Sequence, residues 1–148
     1  MSLFISACGK INRPFSRYME KTAMNLNEIM QSLYFRKETY FIDIFGKIKH
    51  NRTTLYADRN NCHSIEHIEH WLSLNDLLNT SVFLNGDWHP DWKNQEEKYI
   101  ICIEAGKPAV KAVQEPCHFV YFKSEELARK AIDILGEEAI TTLLNGNI

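Results

Sequence analysis

The stretch from Ser64 to Leu84 reads SIEHIEHWLSLNDLLNTSVFL and carries the strongest helical repeat in the chain. Ser64 is a favourable N-cap, because its hydroxyl can accept a hydrogen bond from a backbone N–H of the first turn. The apolar residues fall within about half of a helical wheel, which predicts one long amphipathic helix with Leu78 near the centre of its buried face. The residues predicted to form this buried face are Ile65, Ile68, Trp71, Leu72, Leu74, Leu78, Val82 and Phe83.

The segments on either side of this helix predict short helices and antiparallel strands. The stretch 38–45, ETYFIDIF, is rich in aromatic and β-branched residues, and Gly46 suits a tight turn into a second strand from Lys47 to about Tyr56. Segments 98–104, 109–114 and 118–122 predict a three-strand meander, and Ser124 caps a further helix. The predicted class is α+β, with an antiparallel sheet of about five strands packed by the long central helix and C-terminal helices.

Domain organisation follows from length and local pattern. Residues 1–23 have no periodicity and contain Pro14, so they are predicted to be a loose leader, disordered or not native, with Met24 as an alternative start. Residues 24–148 fit a single α+β domain. The chain has a net charge of −2, and the leader's four basic residues and one acidic residue leave −5 for the rest.

Cysteine usage and hydropathy predict a cytoplasmic protein. The four cysteines are widely spaced without a C-x-x-C pair, which indicates reduced thiols. No run approaches the roughly 18 apolar residues of a membrane span, so no membrane partner is expected. The alternative is a lipoprotein anchored through Cys8, because Ile5 to Cys8 has the residue types of a lipoprotein cleavage site, although only seven residues precede the cysteine.

Three stretches together resemble a known family. They are YFIDIFGKI at 40–48, the run from Leu74 to Trp92 and the run from Tyr121 to Glu138. In content and order they are similar to small uncharacterised proteins from Bacteroides-type gut bacteria and their phages or mobile elements. The resemblance covers roughly 24–144 and implies a cytoplasmic, phage-linked or mobile-element protein. The family has no established activity, so no site residues carry over.

Binding candidates lie on the long helix and in the loop after it. Asn75 falls inside the predicted apolar face, where a buried amide needs a hydrogen-bond partner, either a ligand or a backbone loop. Trp88 and Trp92 could stack on a sugar, base or peptide, or could anchor the loop to the core. Asp91 lies between the two tryptophans. It could form a pair of carboxylates with Asp87, or its side chain could stabilise a turn by hydrogen bonds to the backbone. No nucleotide-binding or nucleophile-elbow motif is present in the sequence.

Two further sets of residues suggest other kinds of site. The segment 36–59 is basic, and Lys47, Lys49 and Arg52 are the nucleic-acid candidates, although a solvated hairpin face has the same composition. His63, His67 and His70 are weak metal candidates. His63 and His67 are four residues apart, but an N-cap at Ser64 places His63 before the helix, so the two need not share one helix face. The H-E-x-x-H pattern of zinc enzymes is also missing. No metal or cofactor is therefore predicted.

The sequence favours a small non-enzymatic binding module that acts through a protein partner or by self-association. One alternative is a nucleic-acid-binding accessory protein that uses the basic hairpin. The other is a small enzyme or ligand binder with a cleft near Asn75 and the loop from Trp88 to Trp92.

Overall fold

The computed structural model describes residues 25–35, 37–51 and 61–146. These residues belong to two compact units, Met1–Ser64 and Ile65–Ile148. The predicted leader at 1–23 lies outside the described residues, and the single domain over 24–148 stays a prediction. Within the described ranges, no helix is both long enough and apolar enough to cross a membrane.

The first unit contains helix α1 (Leu26–Tyr34) and a hairpin of β1 (Thr39–Ile42) and β2 (Ile48–Asn51). A capping box starts α1, because the Asn25 side chain accepts from the Glu28 N–H while the Glu28 carboxylate accepts from the Asn25 N–H. Residues 52–60, which include the rest of the predicted second strand, lie outside the described part of the chain.

The hairpin turn of the first unit is organised by Asp43. Its carboxylate accepts hydrogen bonds of 2.9 Å from the backbone N–H groups of Phe45 and Lys47. Gly46 has a φ of 75°, which a glycine adopts without steric cost. The predicted turn at Gly46 is therefore confirmed.

The second unit contains helix α2 (Ile65–Asn85), a hairpin of β3 (Lys98–Glu104) and β4 (Lys107–Val113), and helices α3 (Glu125–Leu135) and α4 (Glu137–Asn145). Ala105 and Gly106 join the two strands with φ of 50° and 75°, as in a type I′ turn. The Ser124 hydroxyl accepts from the Leu127 N–H and caps α3. The core of this unit is formed by Leu77, Ile101, Val120, Phe122, Ala128, Ala131, Ile132, Ile140 and Leu143.

The α+β class is confirmed, but the prediction of about five strands in one sheet is wrong. The described strands form two separate two-stranded antiparallel sheets, β1–β2 and β3–β4. The predicted third strand of the meander is reduced to one bridge between Tyr99 and Phe122. The reason lies at Tyr121, whose hydroxyl accepts from the N–H groups of Cys117 and His118 and donates to the His118 carbonyl. This side chain holds 117–121 as a compact turn.

The buried face of α2 also differs from the prediction. Leu77 is 1% exposed and Ser81 is buried, whereas Leu78 is 39% exposed. A serine marks a face as polar on a helical wheel, but the Ser81 hydroxyl donates to the Leu78 carbonyl at 2.7 Å. Burying it therefore leaves no unsatisfied donor. The helix is apolar on more than one side, and the face of Leu74, Leu77 and Leu84 packs against the core.

Candidate functional site

The outer side of α2 carries large apolar side chains in contact with solvent. Trp71 is 42% exposed, Val82 is 68% exposed and Phe83 is 82% exposed. Trp71, Asn75, Leu78 and Val82 follow one another at spacings of four, three and four residues and share one side of the helix. We call these four residues the α2 seam. Clustered apolar exposure of this kind marks interaction surfaces more often than single exposed residues do.

Asn75 lies in the middle of the seam. The expectation that it is buried is wrong, because Asn75 is exposed and the core packs against the neighbouring side of α2, through Leu74, Leu77 and Leu84. An exposed amide is hydrated in the free protein, so it does not need an internal partner. Its role as a binding residue stays a prediction, now as part of an exposed helical surface.

The loop after α2 is held to the second unit by Trp92. The Trp92 ring meets the Tyr121 ring edge-on, with centroids 4.8 Å apart. The Lys98 ammonium lies 5.2 Å from the Trp92 centroid and donates hydrogen bonds of 2.7 Å to the Asn94 side chain and the Glu96 carbonyl. Because Lys98 itself is 1% exposed, these contacts favour the anchoring interpretation of Trp92.

Asp91 and Trp88 have different surroundings from Trp92. The Asp91 carboxylate accepts from the Lys93 N–H at 2.9 Å, which is ordinary turn chemistry. Trp88 lines a cavity of about 180 Å³, below the roughly 300 Å³ at which small-molecule sites begin. Neither Asn75 nor Trp92 lines this cavity, so it does not unite the candidates into the predicted cleft. The other lining residues are Ser81, Val82, Asn85, Gly86, His89, Pro90, Phe119, Val120 and Tyr121.

A larger cavity of about 660 Å³, which sequence reasoning missed, lies where α2 begins and α3 meets α4. Its lining includes three exposed glutamates, Glu66, Glu69 and Glu138, together with His70. The volume is typical of small-ligand pockets, but the three glutamates are exposed to solvent. The glutamates come from elements about seventy positions apart, so no local pattern in the sequence could bring them together.

The hairpin of the first unit presents basic residues beside acidic ones. Lys47 and Lys49 are exposed, as predicted, but the Lys49 ammonium lies 3.9 Å from the Asp43 carboxylate. His50 contacts Glu38 in a second pair. Arg52 lies outside the described residues. The mixed signs weaken the attraction that this face could exert on phosphates.

We expect the protein not to shift single- or double-stranded oligonucleotides at micromolar concentration in about 150 mM salt, because two or three phosphate contacts are too few at that ionic strength. An electrophoretic mobility assay checks this. Lys47→Glu/Lys49→Glu is the matched variant, with folding verified by circular dichroism. Binding that the wild type shows and this variant loses would contradict the prediction and make the hairpin the functional surface.

The three candidate histidines do not form a metal site in the described structure. His63 precedes α2, and His67 and His70 lie on it. Among the residues that the structure describes, no three His, Cys, Asp or Glu side chains are arranged to hold a metal ion. The His70 ring is close to Gly146, where an added Cβ would lie 2.5 Å from the ring.

The pKa shifts of buried groups favour neutral, unreactive forms. Burial raises the pKa of the Cys62 and Cys102 thiols, which keeps them protonated at neutral pH. Burial also raises the pKa of Tyr34, with a further contribution from Cys62. The pKa of His118 is lowered by burial, and its Nδ1 accepts from the Val120 N–H. These shifts are opposite to those that activate a cysteine nucleophile.

Comparison with known proteins finds no matching family model, curated protein or solved structure. The resemblance to the phage and mobile-element family therefore stays a prediction.

Proposed function

We propose that this protein is a non-enzymatic binding module that acts by contact with another protein chain through the α2 seam. The observation that carries the proposal is the exposure of Trp71, Leu78 and Val82 on one side of a long helix. A tryptophan that is part of an exposed apolar stripe is the side chain that protein interfaces most often use as an anchor.

Several observations support a binding role over a catalytic one. Burial raises the pKa of the Cys62 and Cys102 thiols and lowers the pKa of His118, which favours the neutral form of each group. Trp92 contacts the Tyr121 ring and the Lys98 ammonium, and these contacts favour a role in holding its loop to the second unit. The seam, in contrast, carries large apolar side chains that face solvent and is available for a partner.

The cellular setting is part of the proposal. The wide spacing of the cysteines, without a C-x-x-C pair, supports a cytoplasmic protein. The resemblance of 40–48, 74–92 and 121–138 to proteins of phages and mobile elements supports a role in that context.

The proposal is tested by replacing Val82 with a benzophenone amino acid and irradiating the native cells. We expect a covalent adduct between this chain and a protein, because Val82 is the most exposed apolar residue of the seam. Lys130, exposed on α3, is the matched control position. The adduct should disappear when Leu78→Asp is added, since a carboxylate in the contact would be desolvated.

Two outcomes would overturn the proposal. One is an equal yield of adduct from positions 82 and 130. The other is an adduct from position 82 that Leu78→Asp leaves unchanged. The mass of the adduct also identifies the class of partner, because a second copy of this chain doubles the mass and another protein gives a different increment.

A further inference from the structure

The spacing of the seam is that of a coiled-coil interface. In a heptad written abcdefg, Trp71 and Leu78 occupy d positions, and Asn75 and Val82 occupy a positions. Ile68, at the preceding a position, is buried within the monomer. Asn85, at the following d position, binds the Tyr121 carbonyl and the Lys123 N–H. The part of the repeat that remains exposed therefore runs from Trp71 to Val82, about 17 Å of helix.

The borders of the seam contain no charged residue. Leu72 and Asn79 occupy the e positions, and the g positions are occupied by Leu74, which packs against the core, and Ser81, which is buried. Coiled coils that choose a different chain as partner usually do so by opposite charges at e and g. A neutral border gives no such discrimination, and it places no like charges opposite each other when two identical helices meet. The electrostatics of the seam thus suit a second copy of this chain.

Asn75 determines the direction of the pairing. A parallel, in-register pair places each a residue opposite the same residue of the partner, so the two Asn75 amides face each other. An amide carries both donors and an acceptor, so two of them can hydrogen-bond across the interface. In an antiparallel pair, a positions face d positions, and the amide would be buried against Leu78 or Trp71 without a partner.

We propose that α2 pairs with α2 of a second copy in a parallel homodimer, with Asn75 against Asn75 at its centre. The inference rests on the proposed function and names the partner of the same surface. From the exposed fractions of Trp71, Leu78 and Val82, these three side chains of each copy would bury roughly 300 Å², less than half of the 800 Å² per partner of a standard interface. The dimer is therefore weak and concentration-dependent.

Disulfide trapping tests the geometry. Asn75→Cys is expected to give a covalent dimer under mild oxidation, because residues at facing a positions are close enough for a disulfide. Asp76→Cys is the matched control, since it is also exposed but points away from the seam at a b position. Wild type under the same oxidation accounts for the native cysteines. Equal trapping at positions 75 and 76, or none at 75, would overturn the parallel dimer.

Sedimentation across about a hundredfold range of concentration gives a second, independent measurement. We expect the dimer fraction of wild type to rise with concentration. Leu78→Asp should remain monomeric, and Asn75→Val should associate about tenfold more tightly, because an a-position Asn lowers dimer stability in exchange for register. A wild type that remains monomeric throughout, or an Asn75→Val variant that associates more weakly, would contradict the proposal.

The two proposals fail in different ways. If Val82 crosslinks to a different protein while position 75 gives no trapped dimer, the binding module stands and self-pairing is excluded. If Val82 gives no specific adduct in cells, the proposed function fails, whatever the purified chain does at high concentration.

Discussion

Leu77→Ala is expected to lower the free energy of unfolding by about 2–5 kcal/mol, because it removes a fully buried side chain and leaves a cavity. Leu77 is 1% exposed and packs in the core of the second unit. Its replacement also removes contacts that the surrounding helices and strands cannot fully recover by relaxing. Urea denaturation followed by circular dichroism measures the change.

The neighbouring residue supplies the matched control. Leu78→Ala is the same substitution one position along the same helix, and we expect it to cost about 1 kcal/mol or less because the side chain is partly in solvent. Both variants have the same change in helix propensity, so the difference between them measures burial alone. A larger loss for Leu78 would mean that α2 buries the side predicted by the helical wheel, and equal losses would mean that the two side chains are buried to the same degree.

Trp92→Ala is expected to cost about 2–4 kcal/mol, somewhat less than a fully buried tryptophan because the side chain is half-buried. The substitution removes the edge contact with Tyr121 and leaves the Lys98 ammonium without the ring beside it. Tyr121 in turn holds the turn at 117–118 through its hydroxyl. The loss should therefore extend to the segment that leads into α3.

Trp92→Phe keeps an aromatic edge and should recover most of the stability, with a remaining loss of about 1 kcal/mol. Chemical denaturation of the three proteins under one set of conditions provides the comparison. If Trp92→Ala unfolded at the same denaturant concentration as wild type, the ring would be free of the core and a stacking platform would be the better interpretation.

The candidate surface was only partly predictable from sequence. The residues of the seam were recognised as one side of α2, but that side was assigned to the core. A hydropathy scale ranks Ser81 as polar and Leu78 as apolar, so it predicts that Leu78 is the buried one. It does not take into account that the Ser81 hydroxyl donates a hydrogen bond to the Leu78 carbonyl within the helix, which allows Ser81 to be buried. The acidic cavity was missed entirely, because Glu69 and Glu138 meet only after α2 and α4 pack.

The sequence by itself determined the local structure of this protein. The cap at Ser124, the turn at Gly46 and the extent of α2 depend on hydrogen bonds and dihedral angles within a few residues, so they can be predicted without knowledge of the rest of the chain. Only the tertiary structure decided which side of α2 is buried and how many strands pair. A helix that is apolar on two sides can bury either one, and a strand-like segment pairs only where a partner edge is free. In the segment that leads to Tyr121, the backbone N–H of His118 donates to the Tyr121 hydroxyl and not to a neighbouring strand.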